Sequence, residues 1–169
     1  LLVLLAIPTT VLLSACGPAP AARGAESQTA ELQPAAASRP TPAAPSCQPG
    51  PPMTVHFYDA GQALSVLVTL PDGRHILVDA GESPRRPCAG CKAWHQRVLD
   101  GLHADLGTSK LDLLWITHQH SDHLGGAPAV IEAFQPRIYT DNGLDLTKTE
   151  VVKDTRAAAI SSGAEIRVV

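Results

Sequence analysis

The sequence predicts a mixed α/β fold, in which a mixed sheet is covered by helices. Three observations carry that expectation. Two β-branched runs joined by Pro71-Asp72-Gly73 read as a hairpin. Segments with helical apolar spacing then alternate with short apolar strands, the order of helices laid on a sheet. Finally, His118, His120, Asp122 and His123 crowd the loop leaving one of those strands, and α/β folds carry their sites at the carboxyl ends of strands.

The chain opens on Leu1, and Leu1 to Leu13 is almost wholly apolar. This run is too short to span a bilayer as a helix but suits the apolar core of a secretory signal. No initiator Met or basic segment precedes it, so a chain truncated at its start is expected. From Gly17 to Pro52 there are nine prolines and ten alanines, with Leu32 as the one large aliphatic residue. Such a composition cannot bury enough surface to offset its ordering entropy, and it reads as a tether. The expected organisation is a signal over 1–15, a tether over 16–52 and one small domain over 53–169. The net charge of −3 gives no basic footprint for nucleic acid.

Within the domain, Thr54 to Asp59 reads as a strand leading into a turn at Ala60-Gly61-Gln62. Leu64 to Leu70 and Arg74 to Asp79 form the hairpin, and Pro and Gly between them preset the turn dihedrals. Ser83 to Gly90 is loop. Trp94, Val98, Leu99, Leu102 and Leu106 keep helical spacing over 93–106, and Gly107 stops the run. On that helix His95 and His103 are expected to face solvent, while Trp94 and Trp115 are expected in the core. Leu111 to Thr117 reads as a buried strand. Gly125-Gly126 then lets the backbone turn into a helix near 126–134. A strand over 137–140, a helix over 147–162 stopped by Gly163, and the start of a strand at 165–169 complete the order. The last strand breaks off uncapped, so truncation at the C-terminus is also expected.

The four cysteines divide by position. Cys88 and Cys91 lie three residues apart, and in an oxidising compartment a local disulfide is the leading reading. A redox-active pair belongs beside a βαβ pattern, and a zinc site needs a second ligand pair. Cys47 is left without an assigned partner.

Imidazole nitrogens and a carboxylate within six residues are the donors that zinc takes. An accidental histidine-rich surface loop is the alternative. Asp79 and Asp59, both at strand ends, are candidates for orienting this loop, or else acceptors for local turn amides. His56 and His75 lie in strands, where an exposed or hydrogen-bonded histidine is the default.

Two resemblances follow from these residues. Leu13-Ser14-Ala15-Cys16 resembles the lipobox of bacterial lipoproteins. It implies cleavage before Cys16, lipid on Cys16, and a protein tethered to a membrane of the cell envelope on its extracytoplasmic side. Gly17 after that Cys is not the Asp that marks inner-membrane retention in many such lipoproteins. The run His118-Gln119-His120-Ser121-Asp122-His123 after an apolar strand resembles the metal motif of the metallo-β-lactamase fold superfamily. Val55 to Gln62, Leu64 to Val68 and Pro71 to Gly81 resemble the branch found in competence-related DNA-uptake channel proteins and related stand-alone hydrolases. The match departs at Ala63-Leu64, where the branch has Gly-Asp.

The superfamily resemblance implies an αββα sandwich, of which 53–169 would be the N-terminal half or so. It also implies two zinc ions in the complete site, the first on His118 and His120 and the second on Asp122 and His123. Asp122 is in addition the catalytic candidate. Paired zinc ions activate water at neutral pH and polarise a carbonyl or phosphoryl oxygen. The superfamily's remaining ligands include two more histidines after this motif, and no His follows His123. The expected activity is hydrolysis of a phosphodiester or other ester. A non-catalytic zinc-binding domain and β-lactam hydrolysis are the alternatives, and the segment from Val55 to Gly81 argues against the latter. Partners are thus a membrane, a small-molecule or phosphodiester substrate and, without support from charge, nucleic acid.

Overall fold

The computed structural model describes residues 50–144 and 149–169. The expected signal, Cys16, Cys47 and nearly all of the tether lie outside the described residues. Ten elements follow: β1 (Thr54–Phe57), β2 (Val66–Thr69), β3 (His75–Val78), α1 (Cys91–Leu106), β4 (Leu113–Trp115), α2 (Ser121–Leu124), α3 (Ala127–Phe134), β5 (Ile138–Asp141), α4 (Glu150–Ser161) and β6 (Glu165–Val168). The strands form one six-stranded sheet in sequence order. β1, β2 and β3 are antiparallel, whereas β3, β4, β5 and β6 run parallel. The sheet is therefore mixed, as the hairpin and the later alternation predict.

Register assigns the two faces. Leu67, Leu77, Leu114 and Tyr139 lie side by side across β2 to β5 and are all buried. They meet Val98, Leu102 and Leu106 of α1, Val130, Ile131 and Phe134 of α3, and Val152 and Ala159 of α4 in one core. The next row, Phe57, Val66, Val78, Trp115 and Thr140, faces the other way. Phe57 (54 % exposed) and Trp115 (43 %) remain open to solvent. Trp115 thus departs from its expected core position: strand alternation sends it opposite to Leu114, away from the helices.

Helix α1 begins two residues earlier than its apolar spacing suggests, at Cys91, which is disulfide-bonded to Cys88. Its buried stripe is Cys91, His95, Val98, Leu102 and Leu106. This corrects the expectation for His95, which is buried because it falls at the i+4 position of that stripe. His103 is exposed, and Trp94 is half-buried. Strand histidines are satisfied: His56 pairs with Asp105 at 2.5 Å, and His75 Nδ1 lies 3.1 Å from Thr69 Oγ1. The expected helix near 126–134 is preceded by a separate single turn, α2, built from the metal-type residues themselves. Helix α4 starts at Glu150, and residues 147 and 148 of the expected 147–162 helix lie outside the described residues.

Candidate metal centre

Parallel pairing brings the carboxyl ends of β3 and β4 together, and the site is built on that edge. Val78 pairs with Trp115, and the Asp79 amide donates to the Trp115 carbonyl at 2.9 Å. Asp79 then leaves the strand with φ of 57°, a left-handed conformation that Asp tolerates better than most side chains. Its side chain is fully buried and spans to the next strand end. One carboxylate oxygen accepts the Thr117 amide at 2.8 Å, and the other accepts the Thr117 hydroxyl at 2.8 Å and lies 2.7 Å from His123 Nδ1.

That last contact fixes the chemistry of His123. A carboxylate partner calls for a proton on Nδ1, so Nε2 is left as a lone-pair donor. The turn of α2 closes where the His120 carbonyl accepts the amides of His123 and Leu124, each at 3.0 Å. It folds His123 back over His118, with ring centroids 3.9 Å apart, while His118 and His120 meet edge to face at 4.7 Å. Asp122 Oδ2 lies 3.8 Å from His123 Nε2. All four expected ligands therefore gather on one loop edge. The His118 pKa is lowered, first by desolvation and then by its neighbours His123 and His120, against the opposing pull of Asp79 and Asp122. Lowering keeps the imidazole neutral, the form that binds metal.

These donors fit a metal in kind. In number, no group of three His, Cys, Asp or Glu side chains among the described residues is arranged around one ion. A catalytic zinc usually takes three ligands from the protein.

The loop after β3 is interlocked with the motif. The Ala80 amide donates to the His123 carbonyl at 2.7 Å, the Leu64 amide to the Asp122 carbonyl at 3.1 Å, and the Gly126 amide to the Gly81 carbonyl at 3.1 Å. A Cβ on Gly125 would run into the backbone of Ser83 and Ser121, and one on Gly126 into the Ala80 carbonyl oxygen. The two glycines thus serve close backbone approach as well as the turn. Asp59 belongs elsewhere: it accepts the Gly61 amide at 3.3 Å and pairs with Arg97 of α1 at 3.3 Å, contacts that hold its own turn.

Three residues at this edge escaped the sequence reading. Glu82 is fully buried, accepting the Ser83 amide at 2.8 Å and Arg86 Nη1 at 2.6 Å. Arg86 Nη1 also donates to Ser121 Oγ at 3.1 Å. Gln119, between the two histidines, is 2 % exposed, and neither its amide nitrogen nor its oxygen has a hydrogen-bond partner. Only their closeness in sequence to Asp79 and to the histidines could have pointed to them.

Comparison with known proteins identifies a family. The sequence profile of the Metallo-beta-lactamase superfamily matches residues 58–167. A metal-dependent hydrolase of Cupriavidus necator is 35 % identical over 86 residues, covering 50 % of this chain and 25 % of that protein. Competence protein ComA of Neisseria gonorrhoeae is 36 % identical over 102 residues, covering 56 % of this chain and 13 % of that one. The chain thus spans a quarter or less of these curated relatives. Among solved structures, the metallo-beta-lactamase FIM-1 from Pseudomonas aeruginosa in its mono-zinc form is matched over 70 % of this chain and 46 % of that one, at 17 % identity and a TM-score of 0.35.

Proposed function

The chain belongs to the metallo-beta-lactamase superfamily, and from that premise we propose that it acts as a zinc-dependent hydrolase on a phosphodiester or related ester. The observation that carries the reading is the carboxylate of Asp79 against His123 Nδ1, with the rings of His118 and His120 alongside. A buried acid that fixes the tautomer of a histidine in such a cluster is the usual outer partner of a metal ligand.

In this reading His118 and His120 hold one zinc ion, and Asp122 and His123 the other. When bound, the ions supply Lewis-acid polarisation and activation of water at neutral pH. The protein's own part is positional. Asp79 and Thr117 fix the start of the motif loop, α2 turns Asp122 and His123 back toward the strand end, and Asp79 and Asp122 offset cationic charge. The further ligand needed by each ion would come from outside these four side chains. The resemblance of the segment from Val55 to Gly81 to the competence-related branch favours a phosphodiester over a β-lactam. Lipid on Cys16 would hold the domain at a membrane surface outside the cytoplasm.

The test uses the complete protein. His118→Ala with His120→Ala should abolish hydrolysis of an aryl phosphodiester and lower the bound zinc. Retained wild-type turnover would end the metal-hydrolase reading. Zinc binding with no turnover in the wild type would favour a purely binding domain.

A further inference from the structure

Beside His120 and Asp122 lies a recess of about 300 Å³, which Arg86, Gln119, Ser121, Thr149 and Val151 also line. We propose that Arg86 and Gln119 form a phosphoryl-binding subsite there, which positions the substrate against the metal ligands. The proposal rests on the hydrolase reading above and adds the residues that recognise the substrate.

Gln119 carries the argument. A buried amide normally finds partners, because leaving its nitrogen and oxygen unbonded costs free energy. Here both atoms are without one and are closed off from solvent, while Gln119 is one of the residues lining a recess next to the candidate metal ligands. An apolar residue of the same shape would serve packing better. An unpaired amide in this position is explained by a ligand that completes it.

Arg86 determines the class of ligand. Its Nη1 is fully used, bonding Glu82 at 2.6 Å and Ser121 at 3.1 Å, so the guanidinium is held in one orientation. Its other N–H groups have no partner among the described residues, and the side chain is 44 % exposed. Planar donors fixed at a recess wall match the oxygens of phosphate. A turn of the Gln119 side chain would bring its nitrogen, now closed off from solvent, to the recess as a neutral donor. Glu82 is fully buried behind Arg86, so it orients the guanidinium without presenting its own charge to the recess.

The experiment measures inorganic phosphate binding to the complete, zinc-loaded protein by calorimetry, with acetate as the comparison anion. Zinc content and phosphodiester turnover are followed in parallel. Arg86→Met and Gln119→Met should each weaken phosphate binding about ten-fold, the size of one charge-assisted hydrogen bond. Their zinc content should stay at the wild-type level, and the loss should appear in KM more than in kcat. A protein that binds zinc and turns over substrate, but whose phosphate affinity ignores both substitutions, would overturn the subsite alone. So would acetate binding more tightly than phosphate. A wild-type protein without zinc or turnover would instead refute the hydrolase reading, and the subsite with it.

Discussion

Asp79 concentrates more of the site than any single ligand. It combines full burial, a left-handed backbone and contacts to Thr117 and His123. Asp79→Asn keeps the shape and the backbone preference but puts an NH2 group where the Thr117 amide, the Thr117 hydroxyl and His123 Nδ1 all converge as donors. The zinc affinity of the complete protein should fall roughly 10–100-fold, the usual cost of losing the partner of a ligating histidine. Competition with a chromogenic chelator reads this directly, and an unchanged affinity would remove Asp79 from the site. His95 yields a pH prediction. Burial lowers its pKa from 6.5, against the Glu82 carbonyl, which raises it. The folded state therefore favours neutral His95. Its contribution to stability is complete above about pH 6.5 and is lost as pH falls through the lower folded value. Thermal unfolding should lose midpoint on acidification below that pH, and less steeply in His95→Gln. Equal slopes would show that another group governs the acid side.

At the scale of elements, the loop 80–83 and the turn 121–126 behave as one unit. Three backbone hydrogen bonds join the motif turn to residues 64, 80 and 81, and glycine at 125 and 126 lets the two chains touch. Gly126→Ala places a methyl group on the Ala80 carbonyl oxygen, where the backbone rather than a side chain has to give way. Overpacking of this kind costs about 3 kcal/mol, so the urea midpoint should drop clearly. A variant with the wild-type midpoint and zinc affinity would mean the two segments are free to separate. Helix α1 lends the same region its base. His95 sits beneath Gly126, and the Cys88–Cys91 bond closes the loop that carries Arg86 onto the first turn of the helix.

For the whole molecule, the core draws on one face of the sheet, and the site lies at the edge where β3 and β4 end. A metal at that edge ties together β3, β4 and α2, so it binds the folded chain and not the unfolded one. Zinc at a thousand-fold excess over its Kd stabilises by about 4 kcal/mol. Chelation of the complete protein should lower its Tm accordingly, and His118→Ala with His120→Ala should remove the effect. A chelator shift that survives the double substitution would assign the stabilising metal to other residues.

By itself the sequence determined the mixed α/β class, the order of the elements and the four candidate ligands, because each is written in local spacing. Alternation of two marks strands, near-3.6 spacing marks helices, and candidate ligands within six residues need no fold to bring them together. The family was legible for the same reason, through contiguous motifs. What the tertiary structure decided is long-range. Asp79 and Asp59 look alike at their strand ends, yet parallel pairing of β3 with β4 delivers Asp79 to His123, while Asp59 turns to Arg97. His95 resembled a surface histidine until the helix stripe and the Gly126 backbone closed over it. Trp115 resembled core until the sheet acquired a covered face and an open one. Burial and partnership depend on which surfaces meet, and no window of neighbouring residues contains that information.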